Sequence, residues 1–335
     1  MGIDLPLVWA VVILFAIMMY VVMDGFDLGI GMLFPFVPQA EHRDVMMNTV
    51  APVWDGNETW LVLGGAGLLA AFPLAYSVVL TALYLPLILM LVGLIFRGVA
   101  FEFRFKAVLG RRRKWDLSFA LGSYAATFFQ GVVLGAFING LEVRDGRFVG
   151  GALDWIAPFP LFTGLGLVAA YMLLGSTWLL MKTEGALHDE MRRRTRHWLW
   201  TLLVTIAGVS VWTALAHPQI AGRWFSLPNL YFFAPVPALV VVASYYLLRE
   251  LRRDAHTSPF LLTLALVFLG YSGLGVSLWP NIIPPDISIW EAAGPPQSLG
   301  FTLVGALLVI PIILAYTALS YWVFRGKVRA EDGYH

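Results

Sequence analysis

The chain has 335 residues, of which 59% are hydrophobic and only 13% charged, with a formal net charge of +1. Soluble domains carry about 25% charged residues, so this composition describes a polytopic membrane protein, with no bulk field to attract nucleic acid. The absence of cysteine excludes disulfides, thiolate zinc sites and cysteine-ligated iron–sulfur clusters.

Nine membrane spans are expected, each near the roughly 20 apolar residues that a bilayer requires. The first covers Pro6–Leu28. No basic segment precedes it, so it reads as a retained helix and not as a cleaved signal. Two acids interrupt it: Asp24 and Asp27 follow the uncharged run Leu5–Met23, and apolar sequence continues after them to Val37. The next apolar segment opens on a second acidic pair, Asp55 and Glu58, in the stretch WDGNETW. Carboxylates at such depths cost roughly 2.5–3.5 kcal/mol each.

Residues Thr59–Phe96 carry no charge. One straight helix of that length would measure about 57 Å, too long for a hydrocarbon core of about 30 Å. The segment therefore folds as two helices, Trp54–Phe72 and Ser77–Phe96, with the turn at Phe72-Pro73 to Tyr76. Six more spans lie near Leu117–Leu141, Ile156–Met181, Trp198–Ala216, Leu230–Leu248, Pro259–Trp279 and Leu299–Phe324. The longest loops are Arg97–Asp116, Lys182–His197 and Pro280–Ser298, and the last is proline-rich, as an ordered cap would be. No large soluble domain fits, so residues 1–335 form a single membrane domain.

With nine spans, 19 of the 22 Lys and Arg residues fall on one side: Arg43, Arg97–Lys114, Lys182–Arg196, Arg249–Arg253 and the C-terminal tail. The opposite side holds Arg144, Arg147 and Arg223. The positive-inside rule makes the first side cytoplasmic, the N-terminus periplasmic and the C-terminus cytoplasmic.

Orientation gives the acids an address. Asp24 and Asp27 share a helix face at i, i+3, which Gly31 continues, in the inner part of the first span. Asp55 and Glu58 share a face at the inner start of the second. Gly25 and Gly29 thin the first helix for close approach of a neighbour. One reading is a proton entry site built of buried carboxylates. Another is structural: Asp55 as a helix N-cap, and Asp24 or Asp27 paired with Arg97. A third is a coupling-ion site in a proton- or cation-coupled transporter or channel, against which stands the lack of repeat halves and paired broken helices.

All six histidines (His42, His188, His197, His217, His256 and His335) fall in loops, at span ends or in the tail. Haem in a membrane bundle needs His, or His and Met, from the helices, so no haem is expected in this chain. Ser123, Thr127 and Gln130 form a polar stripe on one helix face, read as an interhelical hydrogen-bond seam, and Gly131 and Gly135 as a packing pair. The basic clusters Arg111–Lys114 and Arg192–Arg196 suit anionic lipid contact.

Four stretches carry a resemblance: DGFDLGIGML at Asp24–Leu33, NTVAPVWDGNETWL at Asn48–Leu61, FRGVAFEFR at Phe96–Arg104 and, more weakly, PIILAYTALSYW at Pro311–Trp322. With them the chain resembles subunit II of cytochrome bd-type quinol oxidases; its opening MGIDLPLVWA and the short outer loop after His217 resemble the cyanide-insensitive branch. The resemblance implies an all-α fold of nine transmembrane helices, two four-helix bundles plus one peripheral helix. It implies a bacterial inner-membrane heterodimer with subunit I, and in some members a small accessory subunit. Subunit I would carry haems b558, b595 and d and the quinol-binding loop, and subunit II would be haem-free. The complex would oxidise quinol at the outer side and reduce oxygen to water with protons drawn from the cytoplasm. The aspartate of WDGN, here Asp55, would help form the proton channel, with Asp27 a partner and Asp24 supporting it. Many relatives have His before WDGN where this chain has Val53, and the position of Glu58 varies, so Glu58 inherits no role.

Overall fold

The structure, a computed structural model, describes residues 2–329; His335 lies outside the described residues. Twelve α-helices account for most of it. The long ones are α1 (Leu5–Leu33), α3 (Trp54–Ala71), α4 (Pro73–Lys106), α5 (Arg112–Asn139), α6 (Pro158–Lys182), α7 (Gly185–Ala216), α10 (Pro235–Arg252), α11 (Ser258–Leu278) and α12 (Pro296–Val323). Short helices α2 (Ala40–Asn48), α8 (Pro218–Phe225) and α9 (Asn229–Phe233) lie in the connections. Two small antiparallel hairpins, β1–β2 (Val143–Arg144 with Arg147–Phe148) and β3–β4 (Asn281–Ile283 with Ile287–Ser288), qualify the all-α expectation.

Eight helices are long and apolar enough to cross a membrane. The 18-residue α3 falls outside that set because its first turns hold Asp55, Asn57 and Glu58. It nonetheless packs against α1, α4 and α12. Large apolar side chains such as Val62, Ile95, Val204, Phe268, Phe301 and Leu307 are exposed, as surfaces meeting lipid or another apolar partner are.

Several helices run past their expected ends. Helix α1 continues from Leu28 to Leu33, α4 from Phe96 to Lys106, and α7 begins at Gly185 where Trp198 was expected. The expected loops Arg97–Asp116 and Lys182–His197 are therefore largely helical. Hydropathy marks where lipid ends, whereas a helix continues into water wherever its charged residues favour it. Here i, i+4 pairs support the extensions: Lys106 with Glu102 at 3.4 Å and Arg194 with Glu190 at 2.7 Å. The turn between α3 and α4 is tighter than expected, with Phe72 alone between the helices and Pro73 at the first position of α4.

The interior forms where α1, α4, α5 and α6 pack together. Close crossings need glycine. A Cβ at Gly29 would stand 1.9 Å from the Tyr171 carbonyl oxygen of α6. Gly131 and Gly135 seat α5 on α6 in the same way, against Gly164 and Pro160. Of the polar stripe on α5, Gln130 donates 2.9 Å to the Tyr171 hydroxyl, while Ser123 and Thr127 are buried without a side-chain hydrogen-bond partner among the described residues. The seam reading thus holds at Gln130 alone.

At the end away from the arginines, Pro280–Ser298 is an ordered cap. Ile283, Ile289 and Ala292 are buried with Trp9, Phe72 and Leu83, and the Gly294 amide donates 2.9 Å to the Ala71 carbonyl. At the arginine-rich end, residues 324–329 return over the α6–α7 turn: Lys182 Nζ donates 2.6 Å to the Phe324 carbonyl, and Lys327 pairs with Glu184 at 3.1 Å.

Candidate functional site

Four helices build one polar cluster inside the arginine-rich half. Helix α1 supplies Asp24 and Asp27, and α4 supplies Arg97; all three side chains are fully buried. One Arg97 Nη lies 2.8 Å from Asp24 and 3.5 Å from Asp27, and the other bonds Glu58 of α3. Asn57 of α3 donates 2.7 Å to Asp27 Oδ2, and Tyr321 of α12 donates 2.9 Å to the Asn57 carbonyl oxygen. The Arg97 guanidinium lies 5.6 Å from the rings of both Trp54 and Phe101, which stack on each other with centroids 4.9 Å apart.

Both helix-1 acids therefore pair with Arg97, and Glu58 joins them. Glu102 does not; it is an exposed partner of Lys106. Asp55 stands apart. It is exposed, its side chain makes no hydrogen bond or ion pair among the described residues, and the N-cap position of α3 is Val53. Asp55 is thus not the cap, although its charge sits in the first turn, where the helix dipole favours an anion.

A second ionic network lies two turns along α4. Arg104, also buried, pairs with Asp44 at 2.6 Å and Asp116 at 2.5 Å, and Arg43 and Arg112 complete the ring at 3.3 and 3.4 Å. Aromatic side chains separate the two networks. Phe101 is stacked on Trp54 and edge-on to Phe119, which is edge-on to Phe34, the ring over which Arg104 lies.

Three carboxylates around one guanidinium give the cluster more acceptors for a proton than cations to hold them. The buried Tyr20 hydroxyl also hydrogen-bonds Asp24, and Asp27 Oδ1 is buried with no hydrogen-bond partner among the described residues. Carboxylates in such surplus are groups able to accept a proton. His188 and His256 are committed to the Leu180 carbonyl, with Asp254 and Lys327 as further partners.

A family description, cytochrome bd terminal oxidase subunit II, matches residues 5–324. The chain belongs to that family. It is 29% identical to the cytochrome bd-I ubiquinol oxidase subunit 2 of Escherichia coli K12, over 98% of this chain and 96% of that one. It is 30% identical to a probable cytochrome oxidase subunit 2 of Haemophilus influenzae with the same coverage. Its fold matches a chain of the bd oxidase from Geobacillus thermodenitrificans with a TM-score of 0.71 at 18% identity, covering 95% of this chain and 98% of that one. As a subunit II, the chain is part of a membrane quinol oxidase and has a subunit I as its partner.

Within this bd subunit II, Asn57 and Tyr321 join the candidate site although sequence reasoning did not single them out. Both lie in the matching stretches, WDGN and the last helix. Arg104 was legible in principle, because seven residues separate it from Arg97 and place both on one face of α4.

Proposed function

We propose that this chain, with a haem-bearing subunit I holding haems b558, b595 and d, forms a bacterial inner-membrane oxidase. It would oxidise quinol at the outer side, reduce oxygen to water and draw the protons from the cytoplasm through acids of this subunit. Nine spans, with α3 as the short one and the arginine-rich end in the cytoplasm, are part of this reading. The charge segregation supports it.

The observation that carries the proton role is a gradient of burial along one row of acids. Asp55 is exposed on the surface of α3. Glu58, one turn on, has a side chain 27% exposed and reaches Arg97. Asp24 and Asp27 are fully enclosed beside the same guanidinium. A proton entering from the surface thus meets Asp55 first, then Glu58, then the buried pair. The Phe101, Phe119 and Phe34 rings lie between the two arginines, which favours the α3 surface as the approach. Asp55 is the entry group, and Asp27, Asp24 and Glu58 form the reservoir behind it.

The test replaces Asp55 with Asn in the assembled complex. Quinol-dependent oxygen uptake and internal alkalinisation of vesicles should both slow while haem content stays normal. Normal rates of both would remove Asp55 from the pathway. Loss of subunit I from the purified complex would make Asp55 an assembly residue.

A purely structural cluster is the second reading, favoured by the convergence of Asp24, Asp27 and Glu58 on one arginine. It differs in one respect: Asp27→Asn would then lower stability without changing proton uptake in the complexes that assemble.

A further inference from the structure

The carboxamide of Asn57 is oriented from both of its ends. Its nitrogen faces two acceptors, Asp27 Oδ2 at 2.7 Å and the Met23 carbonyl at 3.3 Å. Its oxygen faces a hydroxyl, that of Tyr321, at 2.9 Å. A carbonyl and a carboxylate oxygen only accept, so the nitrogen must point at them, and the amide has one orientation that satisfies all three contacts. Asn57 is buried, and Tyr321 reaches it from α12.

Helix α12 is the least enclosed of the long helices, with most of its side chains exposed. Tyr321 is the group by which it enters the acid cluster. The Tyr321 ring also packs edge-on to Trp178 of α6, with centroids 6.1 Å apart, which holds the hydroxyl on Asn57.

We infer that Tyr321 is a positioning residue: by donating to the Asn57 oxygen it anchors the amide whose N–H is held on Asp27, and so tunes the proton handling of that acid. With the hydroxyl present, Asn57 turns only N–H toward Asp27. Without it, the Met23 carbonyl still keeps the nitrogen on that side, but the buried amide oxygen loses its donor and the amide its anchor on α12, which loosens the N–H bond to Asp27. That anchor lies on α12, outside the four helices that form the interior. This inference rests on the proposed proton role of Asp27.

The test uses the complete oxidase. Tyr321→Phe removes one oxygen atom and keeps the ring, so the complex should assemble with its full haem content. The infrared carboxyl band of Asp27, identified by its loss in Asp27→Asn, should change frequency. The pH profile of oxygen uptake should move by about half a pH unit or more. In an Asn57→Ala background, Tyr321→Phe should add no further change, since the relay is already cut.

An unchanged band and profile in Tyr321→Phe, with Asp27→Asn slow in proton uptake, would overturn the positioning role and leave the proton pathway standing. Effects of Tyr321→Phe that persist undiminished beside Asn57→Ala would also overturn it, because they would not pass through the amide. Full proton uptake in Asp27→Asn would instead overturn the pathway, and the band shift would then report the positioning alone.

Discussion

Asp24 of α1 and Arg97 of α4 meet at 2.8 Å with neither side chain exposed. The pair ties the first span to the fourth helix at a depth where either charge alone would be costly. Asp27 and Glu58 share the same guanidinium, so three carboxylates depend on one residue.

Removal of that residue should be severe. Arg97→Met leaves three carboxylates without their cation, and breaking a buried pair costs about 3–5 kcal/mol. The expected outcome is loss of assembled complex, read by co-purification of subunit I and its haem. Arg97→Lys should retain part of the assembly, with a single ammonium in place of the two-sided guanidinium. An Arg97→Met complex with the wild-type melting temperature would show that the cluster does not hold the helices together.

Asp55 should behave oppositely in stability. It is exposed and caps nothing, so Asp55→Ala should change stability by no more than about 0.5 kcal/mol. Asp24→Ala, measured beside it, should be far more damaging because it removes the 2.8 Å partner of a buried Arg97 and leaves a cavity in a fully enclosed site. Equal losses in the two melting curves would contradict the placement of Asp55 outside the buried network.

The α1–α6 crossing makes a steric prediction. Gly29→Ala places a methyl group 1.9 Å from the Tyr171 carbonyl oxygen, a backbone atom that cannot move aside cheaply. The helices must separate, and the Gln130–Tyr171 contact and the acids nearby shift with them. Gly65→Ala, on α3 with nothing within 4 Å, is the matched control and should be neutral or slightly stabilising. Similar melting temperatures for the two variants would refute the close crossing.

The returning C-terminal segment should be pH-sensitive. Glu184, in the α6–α7 turn, is held below its ordinary carboxyl range by the hydrogen bond and charge of Lys327, with Arg329 adding to it. A carboxyl with a lowered folded-state pKa contributes docking above its free value and loses that contribution as pH falls through the lowered one. Protease access to residues 324–329 should therefore be low at neutral pH and rise as the pH falls below the ordinary carboxyl range. Lys327→Gln should produce that access at neutral pH. Access that stays flat across the range would mean that Lys182 and the backbone contacts hold the segment alone.

Much of this molecule was legible in its sequence. The span between Leu5 and Met23, the break at Phe72-Pro73 and the one-sided arginines follow from hydropathy, proline and charge, which act locally along the chain. The helical extensions were not legible, because hydropathy reports where lipid ends and not where hydrogen bonding along a helix stops. Tyr321 was invisible for a different reason. A tyrosine in an apolar last helix carries no local sign of which amide, far away in the chain, it will meet.

The acids illustrate the division best. Their number, their spacing at i, i+3 and their place within bilayer-length segments were set by the sequence alone, because helical periodicity and the cost of a buried charge need no tertiary information. Which of them would be buried was decided only when α1, α3 and α4 packed. Arg97 could turn to one side of its helix and not the other, and that choice enclosed Asp24 and Asp27, reached Glu58 and left Asp55 outside.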